Sequence, residues 1–123
     1  MLEILPSPDH VAAYRLSGIL DDGDYDRMIA DIEARLDRHD KISILADLAD
    51  FRDMTFQAGL KDMRYSLSKL FQLNRFSREA VITDKEWIRM AIRLLDPVIP
   101  FMAIKTFEPG EAEAAMAWVS AKD

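Results

Sequence analysis

The fold of this chain is decided by residues 78–119, which read REAVITDKEWIRMAIRLLDPVIPFMAIKTFEPGEAEAAMAWV. The segment Arg78–Thr83 is short and has the apolar residues Ala80–Ile82 at its centre, which predicts a strand. The segment Thr83–Glu86 has the form of a capping box, in which the threonine hydroxyl accepts the glutamate amide and the glutamate carboxylate reaches back. A helix is predicted from this cap to Pro97, because the residue before a proline avoids helical geometry. The apolar surface of this helix is supplied by Trp87, Ile88, Ala91, Leu94 and Leu95.

The remainder of this stretch predicts one more strand and a closing helix. Phe101–Phe107 has the composition of a strand, and Pro109 suits the first turn of a helix, where its missing amide is not needed. On the closing helix, Trp118 is placed to cover a neighbouring edge of the sheet. The stripe expected to dock on the sheet is Ala112, Ala115, Met116 and Val119.

The N-terminal part of the chain predicts two strands and a helix. Leu2–Leu5 and Val11–Leu20 are expected to pair antiparallel, with Gly18 marking a bend or a close backbone approach. Asp21 or Asp22 is placed to cap the helix that follows, where negative charge suits the positive end of the helix dipole. The apolar stripe of this helix is Tyr25, Met28, Ile29, Ile32 and Leu36.

Two further elements complete the pattern. Ile42–Leu48 is almost continuously apolar, as expected of a central strand that is covered on both faces. A helix capped by Thr55 or Asp53 follows a polar bend. Its apolar stripe is Phe56, Leu60, Met63, Leu67, Leu70 and Phe71, widened by Tyr65 and Leu73.

The order of these elements predicts an α/β fold, with two strands, then a helix and a strand three times over, then a closing helix. Helices of about a dozen residues have the length needed for right-handed crossovers between parallel strands. We therefore expect a mixed sheet of four or five strands, with an antiparallel N-terminal pair and about four helices mainly on one face. The opposite face would be partly uncovered, and a homodimer is one way to hide it.

Composition limits the classes of function. The chain has 123 residues, which suits one domain, and its net charge of -6 disfavours nonspecific attraction to nucleic acid or anionic lipid. Cysteine is absent, which excludes disulfides, thiolate metal sites and cysteine nucleophiles. We find no signal peptide and no apolar run of about 20 residues, so we expect a cytoplasmic protein without integral membrane association. The glycines form neither a P-loop nor a dinucleotide fingerprint, and no cofactor is predicted.

Two segments carry a resemblance to a known family: residues 80–100, AVITDKEWIRMAIRLLDPVIP, and residues 105–119, KTFEPGEAEAAMAWV. They resemble the C-terminal half of the SpoIIAA-like family, which is related to the STAS domains of anti-sigma-factor antagonists and sulfate transporters. The resemblance also touches residues 17–28 and 44–51, and it rests on patterns of small and apolar residues instead of a catalytic signature. It implies a single SpoIIAA-like, STAS-like domain over residues 1–123, with a noncatalytic role in regulation or binding.

Regulatory phosphorylation is one function that this resemblance suggests. In anti-sigma antagonists, a serine in an Asp-Ser-Ser-Gly-like turn before the second helix is phosphorylated, and the matching region here is Arg52–Phe56. The serine position falls approximately on Met54, the glycine is missing, and only Thr55 offers a hydroxyl. A phosphate on Thr55 would meet the positive helix end but also Asp53. Because capping alone explains Thr55, the antagonist function is not carried over.

A second class of function is a receiver-like phospho-acceptor or a Mg²⁺-dependent enzyme, which would use carboxylates at strand ends. Against this class, a receiver has no opening hairpin, and its lysine precedes a proline, whereas Lys105 precedes Thr106. His10 and His39 lie far apart in the sequence and no third ligand is suggested, so we predict no metal site. The residues that this alternative would use are Asp21, Asp22, Asp47 or Asp50, Thr55, Thr83 and Lys105.

The remaining feature is the content of soft apolar side chains, including seven methionines. Flexible thioethers and aromatic rings can line an adaptable pocket, although packing in the core also explains their spacing. We expect any pocket to lie beside the helix that begins near Thr55 and the helix that contains Trp87. The favoured function is a noncatalytic binding module that recognises a protein partner or a small apolar ligand. The candidate ligand-binding residues are Met54, Phe56, Trp87, Met90 and Phe101.

Overall fold

The structure is a computed structural model that describes residues 1–69, 74–95 and 103–121. Several residues given a role above lie outside the described part, namely Leu70, Phe71, Leu73, Pro97, Phe101 and the side chain of Leu95. In chain order, the elements are β1 (Leu2–Ile4), β2 (Val11–Leu16), β3 (Gly18–Leu20), α1 (Asp22–Arg38), β4 (Ile42–Asp47), β5 (Phe51–Met54), α2 (Phe56–Ser68), β6 (Phe76–Ile82), α3 (Glu86–Leu95), β7 (Ala103–Phe107), a 3-10 turn (Pro109–Glu111) and α4 (Ala112–Ser120).

Five strands form the main sheet in the order β1-β2-β4-β6-β7. β1 and β2 pair antiparallel, and the other neighbours are parallel. The predicted mixed sheet is therefore confirmed, including its antiparallel N-terminal pair and the central position of β4. Side chains alternate along β2 as expected, since Tyr14 and Leu16 are buried while Arg15 is exposed.

A second, two-stranded parallel sheet joins β3 to β5, and the sequence did not predict it. The strand predicted over Val11–Leu20 is broken before Gly18, which has a φ of +62°. This left-handed conformation favours glycine and bends the chain away from the main sheet. A Cβ at Gly18 would meet no atom within 4 Å, so the predicted bend is confirmed and a close approach is not.

The helices occupy both faces of the main sheet. α1, α2 and α3 contribute to one apolar cluster with Tyr14, Phe76 and Val81. α4 contributes Ala115 and Val119 to a separate cluster on the opposite face. That face was expected to be partly uncovered, and α4 covers part of it. The reason is that α4 follows the edge strand β7 and leads to no further strand, so crossover handedness does not place it on the first face.

Three helix caps were predicted, and two are confirmed. Asp21 caps α1, where its carboxylate accepts the Asp24 amide at 2.8 Å and the Asp24 carboxylate accepts the Asp21 amide. Thr55 caps α2, because its hydroxyl oxygen accepts the Ala58 amide at 3.2 Å. The capping box predicted at Thr83 is wrong. The Thr83 hydroxyl accepts the Lys85 amide at 3.0 Å, which closes a local turn, and α3 begins only at Glu86.

The apolar stripe predicted for α2 packs less than expected. Of the residues that the structure describes in this helix, only Ala58 is buried, while Phe56, Met63 and Leu67 are exposed. On α4, Trp118 lies beside Phe107 of the edge strand, with ring centroids 6.0 Å apart, as predicted. None of the helices in the described parts of the chain has both the length and the apolar character needed to cross a membrane.

Candidate functional site

A cavity in the described structure lies between one face of the main sheet and the helices α1, α2 and α3. Its volume is about 650 Å³, which is within the range of pockets that hold small molecules. Side chains of β2, β4 and β6 form its floor, and the three helices form its walls together with Leu20 of β3 and Phe51 and Met54 of β5. The apolar lining residues are Leu16, Leu20, Met28, Ile32, Ile44, Ala46, Leu48, Phe51, Met54, Phe76, Trp87 and Ile88, and the polar ones are Tyr14, Tyr25, Asp62, Tyr65, Ser66, Lys69 and Glu79.

Pairs of polar side chains tie α1 to its neighbours around this cavity. The Tyr14 hydroxyl donates to the Asp31 carboxylate at 2.6 Å, and Asp31 also pairs with Arg35 at 2.9 Å. The Tyr25 hydroxyl donates to the Asp62 carboxylate across the gap between α1 and α2. Burial and the neighbouring carboxylate raise the pKa of both tyrosines well above their usual range. Both phenols therefore stay protonated and act as hydrogen-bond donors at neutral pH.

Two ion pairs hold α2 beside α1 at the rim of the cavity. Lys61 pairs with Asp26 at 2.6 Å, and the Lys69 ammonium lies 2.9 Å from a Glu33 carboxylate oxygen. The Lys69 ammonium is also 5.7 Å from the centre of the Tyr65 ring. These contacts bridge two helices, and the apolar packing of α2 is sparse. The position of α2 therefore depends on polar contacts more than is usual for a helix of this length.

Glu79 places a carboxyl group within the mostly apolar floor. It lies on β6 between Ile44 of β4 and Ile104 of β7, and both isoleucines pack in the same apolar cluster. No hydrogen bond or ion pair joins the Glu79 side chain to another of the described residues. Burial and the nearby negative charge of Asp62 raise the pKa of Glu79 to about 7. The carboxyl therefore titrates near neutral pH.

The five predicted ligand-binding residues are not all at the cavity. Met54 and Trp87 line it. Phe56 is 77% exposed and Met90 is 55% exposed, and neither is among the lining residues, while Phe101 lies outside the described part of the chain. Trp87 is itself 62% exposed and forms part of the wall, so it is not a core anchor. The core-filling alternative is also wrong for Met90, and a role for these residues in binding stays a prediction.

Several residues of the phosphorylation and receiver hypotheses have structural partners. The Thr55 hydroxyl is engaged in capping α2, and its phosphorylation stays a prediction. Asp47 accepts the Ala49 amide at 3.1 Å and lies 3.4 Å from Arg15. The Lys105 ammonium is 5.2 Å from the Phe107 ring centre. Within the described ranges, no three His, Asp or Glu side chains are grouped closely enough to hold a metal ion.

The two histidines are brought together although they are distant in the sequence, with ring centroids 6.4 Å apart. His39 ends α1, and its Nε2 lies 2.7 Å from the Asp9 carboxylate. His10 Nε2 lies 2.9 Å from the Ser120 carbonyl oxygen. Both rings therefore connect elements at one end of the sheet, and the surface role predicted for His39 agrees with its place at the helix end.

Sequence reasoning did not identify Glu79 or Asp62 as site residues. A usable signal existed for Glu79, because it lies two positions before Val81 in a predicted strand and so shares its face. A carboxyl at a core-facing strand position needs a partner, a shifted pKa or a ligand. Asp62 gave no such signal, since an acidic residue on a helix is usually solvated.

Comparison with known proteins agrees with this architecture. The family model described as SpoIIAA-like matches residues 11–120. Among solved structures, the chain is similar to an uncharacterised protein of the DUF3478 family with a SpoIIAA-like fold from Shewanella loihica. That likeness has 24% identity, covers 97% of this chain and 92% of that one, and has a TM-score of 0.72. No curated protein matches the chain in sequence. Because the family model covers almost all of the described strands and helices, the chain belongs to the SpoIIAA-like family.

Proposed function

We propose that this STAS-like module binds a small apolar ligand in the cavity between the main sheet and α1, α2 and α3. The observation that carries the proposal is the cavity itself, which has a volume of about 650 Å³ and mostly apolar walls. A concave, mostly apolar site of this size that is partly open to solvent is the usual form of a small-molecule pocket. A bound apolar molecule would cover the apolar side chains that line it.

The helices that close the cavity support ligand entry. α2 has a single buried residue among those described, and α3 has its buried contact through Ile88. Sparse apolar packing gives a small free energy for local opening, and segments that admit ligands are commonly of this kind. We therefore expect the ligand to enter between α2 and α3, past Trp87.

We propose a noncatalytic role because the polar groups around the cavity either have structural roles or have no partner among the described residues. Tyr14 and Tyr25 donate to carboxylates, and Lys69 is paired with Glu33. The hydroxyl of Tyr25 does lie beside the carboxylate of Asp62, but the pKa of this phenol is raised, whereas an activated nucleophile has a lowered pKa or a base free to take its proton. The cavity therefore supports binding better than it supports catalysis.

Trp87 provides a direct test, because the chain has only two tryptophans and the second, Trp118, packs in the cluster on the opposite face. In a Trp118→Phe variant, titration with decanol should shift the Trp87 emission to shorter wavelength and saturate at one ligand per chain. In a Trp87→Phe variant, the emission of Trp118 should not change. A shift of both tryptophans, or of neither, would contradict binding in this cavity.

A volume-filling substitution tests the location independently. Ala46 lines the floor, so Ala46→Leu places a larger side chain inside the cavity. We expect decanol binding to weaken on the order of tenfold, since overfilling an apolar site costs about 1–3 kcal/mol. Ala117→Leu is the matched control because Ala117 is exposed on α4. Equal affinities in the two variants would place the ligand elsewhere.

Self-association or a protein partner is a second candidate, favoured by the exposed apolar side chains on the outer sides of α2 and α3. Phe56, Met63 and Leu67 belong to α2, and Leu94 belongs to α3. The original reason to expect a homodimer is weakened because α4 covers part of the sheet face that needed hiding. Light scattering tests the homodimer. If it forms, the mass should rise to twice that of the monomer as the protein concentration increases, and it should stay at the monomer value in a double variant with Phe56→Ser and Leu67→Ser.

A further inference from the structure

The charge inside the cavity is the feature that the proposed function does not yet explain. Asp62 accepts a hydrogen bond from Tyr25, and Lys69 is neutralised by Glu33. Glu79 has no such partner among the described residues, although it lies between Ile44 and Ile104 on the sheet. An unpaired carboxyl beside apolar side chains is costly, and a sequence that keeps one at a site of this kind needs a reason.

The surroundings of Glu79 decide which ligand group it would accept. Asp62 is a second acidic residue at the same cavity, and the chain as a whole carries a net charge of -6. A ligand carboxylate would be repelled by both acidic side chains, and a hydroxyl would make only an ordinary hydrogen bond. An ammonium group would supply the opposite charge that Glu79 lacks, since the Lys69 ammonium at the same cavity is paired with Glu33. Because Glu79 is already partly buried, the new pair costs mainly the desolvation of the amine.

We infer that the cavity takes an amphiphilic amine, with its alkyl or aryl part between the sheet and α1, α2 and α3 and its ammonium against Glu79. This inference rests on the proposed function, because it assigns a polar end to the ligand whose apolar part the cavity holds. The wall residues Trp87 and Ile88 would contact the apolar part. Asp62 lies on α2, so the amine would also link the sheet to that helix.

The pH dependence of binding follows from the groups that line the cavity with Glu79. The titratable and charged ones are Tyr14 on β2, Tyr25 on α1, Asp62 and Tyr65 on α2, and Lys69 directly after α2, while α3 presents the nonionisable Trp87 and Ile88. An alkylamine stays protonated between pH 6 and pH 8, whereas Glu79, with a pKa of about 7, becomes ionised over this range. Amine binding should therefore tighten as the pH rises, and alcohol binding should not.

Three ligands with the same ten-carbon chain test the inference: decylamine, decanol and decanoate, each kept below its micelle concentration and titrated into the full chain at pH 8 by calorimetry. We expect decylamine to bind on the order of tenfold more tightly than decanol, and decanoate to bind most weakly. Glu79→Gln should lower the affinity for decylamine to that for decanol. Glu113→Gln removes the same charge from an exposed position on α4 and should leave all three affinities unchanged.

The outcomes separate the inference from the proposed function. Binding of decanol with no preference for decylamine would overturn the inference and leave the proposed function standing. An amine preference that Glu113→Gln weakens as much as Glu79→Gln would reduce the effect to general surface charge and also overturn it. Failure of every ten-carbon ligand to bind would contradict the proposed function. A preference for decylamine that only Glu79→Gln removes would support both.

Discussion

Replacing Glu79 with glutamine keeps the size and shape of the side chain but removes its ability to ionise. In the folded protein, burial and the charge of Asp62 raise the pKa of Glu79 from 4.5 to about 7. Below pH 4.5 the carboxyl is protonated in both the folded and the unfolded chain, so its ionisation does not lower the free energy of unfolding. As the pH rises towards 7, the unfolded chain releases this proton more readily than the folded chain, so stability falls.

The size of the change in the free energy of unfolding follows from the shift in the pKa of Glu79. One pKa unit corresponds to about 1.4 kcal/mol, so ionised Glu79 lowers the free energy of unfolding by up to about 3 kcal/mol above pH 7. Glu79→Gln should therefore be more stable than the unsubstituted protein at pH 8, by up to this amount. At pH 4.5 the two proteins should differ little, because a neutral amide replaces a neutral carboxyl.

Urea unfolding followed by far-ultraviolet circular dichroism measures this difference at both pH values. The net charge of -6 also makes the removal of any carboxylate favourable at high pH, so a control for general charge is needed. Glu113→Gln provides it, because Glu113 is exposed on α4 and lies on the other side of the sheet. Equal stabilisation by the two substitutions at pH 8, or a loss of stability in Glu79→Gln, would refute the reasoning.

Three further substitutions test the fold, each by urea unfolding at neutral pH. In Thr55→Ala the free energy of unfolding should fall by about 1 kcal/mol, because the α2 cap is removed, while Thr55→Ser should keep most of the stabilisation that the cap provides. Equal losses in the two variants would show that the hydroxyl is not the cap. Gly18→Ala should cost about 1–2 kcal/mol through backbone strain alone, and an unchanged stability would contradict the left-handed conformation. Val119→Ala should cost about 2 kcal/mol because Val119 is fully buried, and a loss below 0.5 kcal/mol would argue against α4 packing on the sheet.

Local signals in the sequence predicted the elements well where one physical cause dominates. Asp21 and Thr55 were identified as caps because a side-chain oxygen at a helix start has few other uses. The antiparallel start and the central position of β4 followed from element order and apolar content. Thr83 was assigned the wrong partner because a threonine hydroxyl can accept an amide either two or three residues later, and sequence spacing does not separate these turns.

Nonlocal packing was harder to predict. The pairing of β3 with β5 depends on the bend at Gly18, after which two short segments distant in the sequence meet. Neither segment contains a sequence signal that predicts pairing with the other. The sheet face on which α4 packs could likewise not be predicted, because no strand follows α4 and the handedness of crossovers does not apply.

The cavity could not be predicted from local signals or from element order. An apolar stripe on a helix normally predicts that the helix packs against a core. In α2 and α3 that inference fails, because more apolar side chains are present than the sheet covers, and Phe56 and Trp87 remain largely exposed. The polar contacts of Lys61 and Lys69 hold α2 beside α1 without requiring it to press closely onto the sheet. The space left over the floor is then mostly apolar, and Glu79 places a carboxyl group within it. The surplus of apolar surface on the helices and the unpaired carboxyl below them therefore have one common explanation, a ligand that is apolar along its length and cationic at one end.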